Sequence, residues 1–238
     1  MKFSFTGEIK VVFGITLRQI KRESDGLIGG WIEKEANLSA SGDAWVSGDA
    51  WVSGNARVYG NARVYGDTWV SGNARVYDNA RVYGDAWVYD NARVYGNAQV
   101  SGNARVYGNA RVYGDTWVSG NARVYGNARV YGNAQVSGNA RVYDNARVYG
   151  DAWVYDNARV SGNARVSDDA WKKSPLYVQG PVHAATNCAK GKIAIGCEIR
   201  TYAEWSANFE TIGIANSYTV EQIAKYKLII DLFCAIGE

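Results

Sequence analysis

From Asn37 to Ser174 the chain divides into 23 consecutive six-residue units with no insertion or deletion. A repeat this regular narrows the choice of folds more than any total does, because each unit must be one small structural element that relies on its neighbours. The commonest unit is NARVYG, as at 55–60. Its first position is Asn or Asp throughout, its second is Ala in 20 units with Leu38, Thr68 and Thr116 as exceptions, and its fourth is Val in all but the first and last. Ala, Arg, Val and Tyr therefore alternate small apolar, large polar, apolar, large amphipathic, the period-two signature of a strand with one buried face. The Gly-Asn or Asp-Asn pair that follows supplies positive φ and side-chain hydrogen bonds to the backbone, so each short strand ends in a sharp corner.

A single unit buries one Ala and one Val, too little to fold alone, so stability has to come from stacking coils at roughly 4.8 Å into parallel sheets around a continuous Ala and Val column. Both ends of such a stack expose unpaired backbone and need caps. The same phase runs backward through DGLIGG at 25–30, with Ile28 at a Val position and Ile32 at the next Ala position. It runs forward through PLYVQG and PVHAAT, with Leu176, Val178, Val182 and Ala184 inward. The expected organisation is an N-terminal β cap over 1–24, with strand-like runs joined at Gly14, a coil over 25–186, and a C-terminal cap over 187–238. In the last segment Ile193 and Ile195 suggest a strand. Thr201 with Glu204 and Thr219 with Gln222 fit capping boxes that start two helices, the second of them amphipathic.

The pattern of Val, any residue, Gly, Asn or Asp, Ala, any residue resembles the hexapeptide-repeat family. That resemblance covers more than half of the chain and implies an all-β fold: a single-stranded left-handed parallel β-helix with three hexads per triangular coil, about nine coils here by the stacking argument. The hand comes from the resemblance, since general crossover preferences point the other way. The flanking segments FTGEIKVVFGITLRQI, GGWIEKEANLS and IGCEIRTYAEW resemble those of uncharacterised hexapeptide-repeat proteins from bacteriophages and prophages. This implies an origin and no reaction.

Many members of the family are acyltransferases that use a His as general base, with acyl-CoA held between the subunits of a trimer, often beside a loop that interrupts a coil. This chain has one histidine, His183, and no interrupting loop among its 23 units. A degenerate acyl- or nucleotidyltransferase would have to work through that residue alone. The family's zinc carbonic anhydrases need three His ligands. Cys188 and Cys197 are nine residues apart, which is not a metal spacing, and they read as small buried residues of the cap. No GxGxxG occurs in strand-loop-helix context, and Asp at the first position is explained by the corner. The expectation is a non-enzyme without cofactor or metal. A start that lacks a leader pattern, an odd cysteine number and the absence of a long apolar run indicate the cytoplasm of a bacterial host and no membrane span.

What remains is the outer surface. The third positions hold 13 Arg, seven Trp, two Gln and Ser39, and the fifth positions are mostly Tyr or Ser. These are residue types enriched in binding hot spots, and they also suit a bland role, with Arg laid on aromatic rings. Every Trp unit begins with Asp and every Arg unit with Asn, so 13 Arg face 12 Asp between Asp43 and Asp169 and the formal charge of the whole chain is only +3. That balance argues against a strongly basic nucleic-acid groove. With residues 18 apart stacking, Trp51, Trp69 and Trp87 share one face and Trp45, Trp117, Trp153 and Trp171 another, while the remaining face has no Trp. The candidate binding surface is Trp51, Trp69, Trp87, Trp117, Trp153 and Trp171 with Tyr89, Tyr155, Arg93 and Arg159. The function expected is a phage-encoded scaffold, homotrimeric through its flat faces, that binds a host protein such as a defence component. Sugar or nucleic-acid binding along the aromatic ladders is the alternative.

Overall fold

The computed structural model describes residues 2–171 and 173–236. The chain winds into a β-solenoid of about eight turns, followed by a separate four-stranded sheet and two helices. The repeat strands occupy the third and fourth positions of each unit, as in Arg75–Val76, and pair in parallel with the strand 18 residues further on. Val58, Val76, Val94, Val112, Val130, Val148 and Val166 form one such column, all with no exposed surface. Burying one Val in this way is favourable by about 1.5–3 kcal/mol.

The corners explain the first and sixth positions. The sixth residue is left-handed, as at Gly132 (φ 76°), and a Cβ there would meet the amide nitrogen of Gly150 at 2.9 Å. Asp replaces Gly at Asp78, Asp90, Asp144, Asp156 and Asp168, with φ between 53° and 59°. The first-position Asn residues do more than turn the chain. Asn55, Asn73, Asn91, Asn109, Asn127 and Asn145 form an amide ladder, each Nδ2 donating to the Oδ1 one rung along at 3.0–3.3 Å.

At the N-terminal end, β1 (Phe3–Val12) and β2 (Ile15–Arg22) form an antiparallel hairpin, and β3 (Ile28–Ile32) joins β2 to the strand Trp51–Val52. The hairpin therefore extends one solenoid sheet. Ile32 pairs with Val52 and Leu38 bridges Val58, each two residues out of the 18-residue register. Ile32 thus sits at a Val position, and Ile28 is 50% exposed instead of inward. The two extra residues lie between Leu38 and Val46, which face Val58 and Val64; before them a short helical turn, Glu35–Asn37, keeps step with the next rung, its buried Asn37 amide donating to the carbonyls of Gly54 and Ala56.

At the other end the register slips by one: Trp153 pairs with Ala170 and Val154 with Trp171. The coil does not reach 186. Tyr177–Gln179 runs antiparallel to Ala184–Ala189, which pairs with Lys192–Ile195 and then Glu198–Thr201, and Val182 is exposed. The reason is chemical. First-position amides donate to the next rung, as Asn91 does to the Gly108 carbonyl at 2.9 Å, and Pro175 and Pro181 stand at first positions with no N–H to give. Two helices, α1 (Tyr202–Ala215) and α2 (Val220–Ile236), close over the small sheet. Both expected capping pairs are present, Thr201 with Glu204 and Thr219 with Gln222. Trp205, Tyr226, Ile230 and Phe233 pack on Ala185, Ile193 and Ile195 as a second core. Among the described residues no helix is long and apolar enough to cross a membrane.

Candidate binding faces

The pairing register sorts the outward residues onto three faces. The first carries Trp31, Trp51, Trp69 and Trp87, then Arg105, Arg123, Arg141 and Arg159. Trp51 and Trp69 stack at 4.5 Å and 10°, Trp87 meets Trp69 edge-on at 4.8 Å, and the Arg105 guanidinium lies 4.8 Å over Trp87. This is the expected tryptophan ladder, but it is partly occupied. Phe13, at the tip of the β1–β2 hairpin, stacks on Trp51 and Trp69, and Lys10 sits 4.4 Å over Trp31. Tyr89 lies on the same face, stacked on Tyr107 at 4.8 Å, and Arg159 ends its arginine row, exposed.

The third face carries Trp45, Arg63, Arg81, Gln99, Trp117, Gln135 and Trp153. Trp45 is buried beneath the N-terminal hairpin, with Arg22 5.3 Å over its ring. Trp117 and Trp153 are open, 51% and 47% exposed, and Trp153 donates from Nε1 to the Ser137 hydroxyl while its ring leans on Tyr155. Trp171 departs from the expected surface. The one-residue slip turns it inward behind Val154, where it is 7% exposed and plugs the end of the column.

The second face carries Arg57, Arg75, Arg93, Arg111, Arg129, Arg147 and Arg165 and no other residue type at its third positions. Beside them Tyr59, Tyr77, Tyr95, Tyr113, Tyr131 and Tyr149 stack at 4.8–5.3 Å with interplanar angles of 2–12°. Neighbouring guanidiniums at rung spacing repel by about 0.8 kcal/mol in bulk water. Among the described residues no carboxylate stands within ion-pair distance of these arginines; the ion pairs of the described residues, such as Arg22–Asp25 and Arg200–Glu198, lie in the caps. Corner aspartates are engaged otherwise: Asp78, Asp90 and Asp144 accept the backbone N–H of Gly96, Gly108 and Gly162. Burial, then the flanking phenols of Tyr95 and Tyr131, raises the Tyr113 pKa above its ordinary 10.0, with Arg129 and Arg111 pulling the other way. At neutral pH Tyr113 therefore presents a neutral hydroxyl between cationic forks.

Of the residues expected to form the surface, only Arg93 lies on this arginine face. Tyr89 and Arg159 belong to the first and Tyr155 to the third, so the ten are not one site. The arginine face is nevertheless visible in the sequence when third positions are taken in steps of 18, because after Ser39 the seven from Arg57 to Arg165 are all Arg.

His183 lies in the terminal sheet region and is exposed. Its backbone N–H and that of Val182 donate to the Tyr226 hydroxyl at 2.6 and 3.1 Å, and that hydroxyl donates to the His183 carbonyl at 2.9 Å. Burial and the neighbouring Tyr226 push the Tyr218 phenol up to about 12. The cavity these residues line with Trp205 and Phe209 measures about 30 Å³, room for roughly one water. Cys188 is buried, which raises its thiol pKa, whereas Cys197 is exposed and not the core filler expected; Cys234 is exposed as well.

A family model described as YdcK Beta solenoid repeat matches residues 56–72, 74–90, 86–102, 98–114, 104–120, 122–138, 134–150, 140–156 and 158–172. The repeat region is thus similar to that β-solenoid family, and the matched stretches hold the tryptophan ladder from Trp69 on and all seven rungs of the arginine face. No curated protein matches the chain.

Proposed function

We propose that the chain is a non-enzymatic binding scaffold, encoded by a phage or prophage, whose rigid rod recognises a protein partner in the bacterial host cytoplasm, a defence component being one candidate. Phage-type flanks motivate the origin. The 18-residue pairing interval supports three hexads per turn, and the hexapeptide-repeat resemblance supports a left-handed coil. Self-assembly, as a trimer through flat faces, belongs to the same reading.

The observation that carries it is the arginine face. Seven Arg and six Tyr are held in register by the backbone, so these hot-spot residues lose little further freedom on binding. The test is capture from host lysate with the wild type and with Tyr95, Tyr113 and Tyr131 all changed to Ser, a residue already present at fifth positions such as Ser101. A captured protein should be lost with the triple variant; undiminished capture removes this face from the proposal.

A second reading, sugar binding, rests on Trp117 and Trp153. They are the open indoles of the third face, two rungs or roughly 9.6 Å apart, with Gln99 and Gln135 alternating as hydrogen-bonding groups. Quenching of indole fluorescence by an oligosaccharide, lost in Trp117→Gln with Trp153→Gln, is the result it requires.

A further inference from the structure

We infer that the partner surface recognised by the arginine face is acidic, a protein segment dense in Asp and Glu; this rests on the protein-binding reading above and gives its partner a chemistry. The balance of charge along the sequence hides a sharp division around the rod. Once units are assigned to faces by their pairing, the seven units of the arginine face hold seven Arg against two Asp, Asp78 and Asp168. Those of the first face, from Asp49 to Gly162, hold four Arg against five Asp, and those of the third, from Asp43 to Asp156, two Arg against four Asp. A nearly neutral protein thus presents one cationic stripe. Its own carboxylates offset only part of that charge, two against seven, and they are held at corners, Asp78 on the Gly96 amide and Asp168 on the Asp151 amide.

The tyrosines decide between anions. Each ring lies against the next at 4.8–5.3 Å, so both faces of the inner rings are covered and only edges and hydroxyls point outward. A single-stranded nucleic acid would need free aromatic faces on which to stack its bases. Guanidinium forks beside neutral phenol hydroxyls match carboxylates, which accept two parallel N–H bonds from Arg and another from a hydroxyl. The straight, evenly spaced row also suits an extended acidic segment laid along the rod.

The experiment measures binding of a fluorescent poly-glutamate peptide to the full chain by anisotropy, beside a single-stranded and a duplex DNA of equal charge. Two triple variants are compared. Arg93, Arg111 and Arg129 become Gln on the arginine face; Arg105, Arg123 and Arg141 become Gln on the first face. Gln is native at third positions such as Gln99, and both triples remove the same charge. The arginine-face triple should weaken peptide binding at least about tenfold, and the control triple less than about threefold. Binding should fall as salt rises. Equal losses from both triples, no peptide binding by wild type, or tighter binding of either DNA that the first triple alone abolishes would each overturn the acidic-peptide assignment. If lysate capture still depends on the Tyr ladder while the peptide fails to bind, the protein-binding reading survives and only its acidic chemistry falls.

Discussion

The solenoid and the C-terminal cap solve the same problem of burial in opposite ways. Away from its ends the coil turns only small residues inward, Ala and Val with Thr68 and Thr116, and repeats them at each rung, so stability is a sum of similar nearest-neighbour terms. In the cap a few large side chains, Trp205, Tyr226, Ile230 and Phe233, meet once and cannot be exchanged for copies of themselves. The difference teaches where each region is free to change. The coil fixes its inside and leaves the third and fifth positions open to variation, which is how one face became all Arg while another mixes Trp, Gln and Arg. In the cap, Trp205 has to bury its ring and also give its indole N–H to the Ile193 carbonyl at 2.9 Å, so packing and hydrogen bonding are fixed by the same residue.

The severest way to break the comparison is to put a charge inside the coil. Val112→Asp buries an unpaired carboxylate in a column with no exposed surface and no polar partner, a cost above about 4 kcal/mol. Thermal melts followed by circular dichroism should show a coil that is unfolded or melts far below wild type. A small change in midpoint would mean that neighbouring rungs compensate, contrary to a nearest-neighbour stack.

Phe233→Ala asks the matching question of the cap. Removing a fully buried ring from a core that cannot refill itself costs about 3–5 kcal/mol. If the two regions are separate cores, calorimetry should resolve a transition that moves and a larger coil transition that does not. A single transition shifting as one would show that the cap and coil melt together.

The same contrast separates what was legible in the sequence from what was not. Inward Ala and Val, the corners, both capping boxes and the Trp51, Trp69 and Trp87 stack followed from local chemistry repeated many times. The ends did not, because register there depends on single events. Two extra residues between Leu38 and Val46 set the first turn off by two, and a one-residue slip turns Trp171 from surface to plug. Pro175 and Pro181 keep hexad phase while lacking the N–H that would hold another turn, so phase alone overstated the coil. The candidate surface was legible only in part. Residue type is plain in the sequence, whereas which side chains share a face is set by the 18-residue interval, and the charge that balances along the chain divides around it.

Alkaline pH should sharpen the comparison more gently. Several ladder phenols, Tyr77, Tyr113 and Tyr125 among them, have folded pKa values raised chiefly by burial above the ordinary 10.0. The sign follows from linkage: the contribution is fully present below the unfolded value and is lost as pH rises through the folded values. The coil's melting temperature should therefore fall as pH rises above about 10. In the cap, burial and the neighbouring Tyr226 push Tyr218 up to about 12. A melting temperature unchanged across that range would mean the ladder gains nothing from its protonated form.

The smallest effect belongs to the outside of the coil. Arg111→Gln removes one guanidinium from the middle of the arginine row and puts in a side chain the solenoid already carries at Gln99 and Gln135. It costs some packing of the Arg stem but relieves repulsion from Arg93 and Arg129 on either side, each about 0.8 kcal/mol at most in water and less in salt. The two effects oppose one another, so stability should change by no more than about 0.5 kcal/mol, read as the urea midpoint at constant slope. A clear loss would mean that the arginines hold the rod together. A clear gain that fades with added salt would mean that the cationic row is kept at a cost to the fold, as a row maintained for an acidic partner would be.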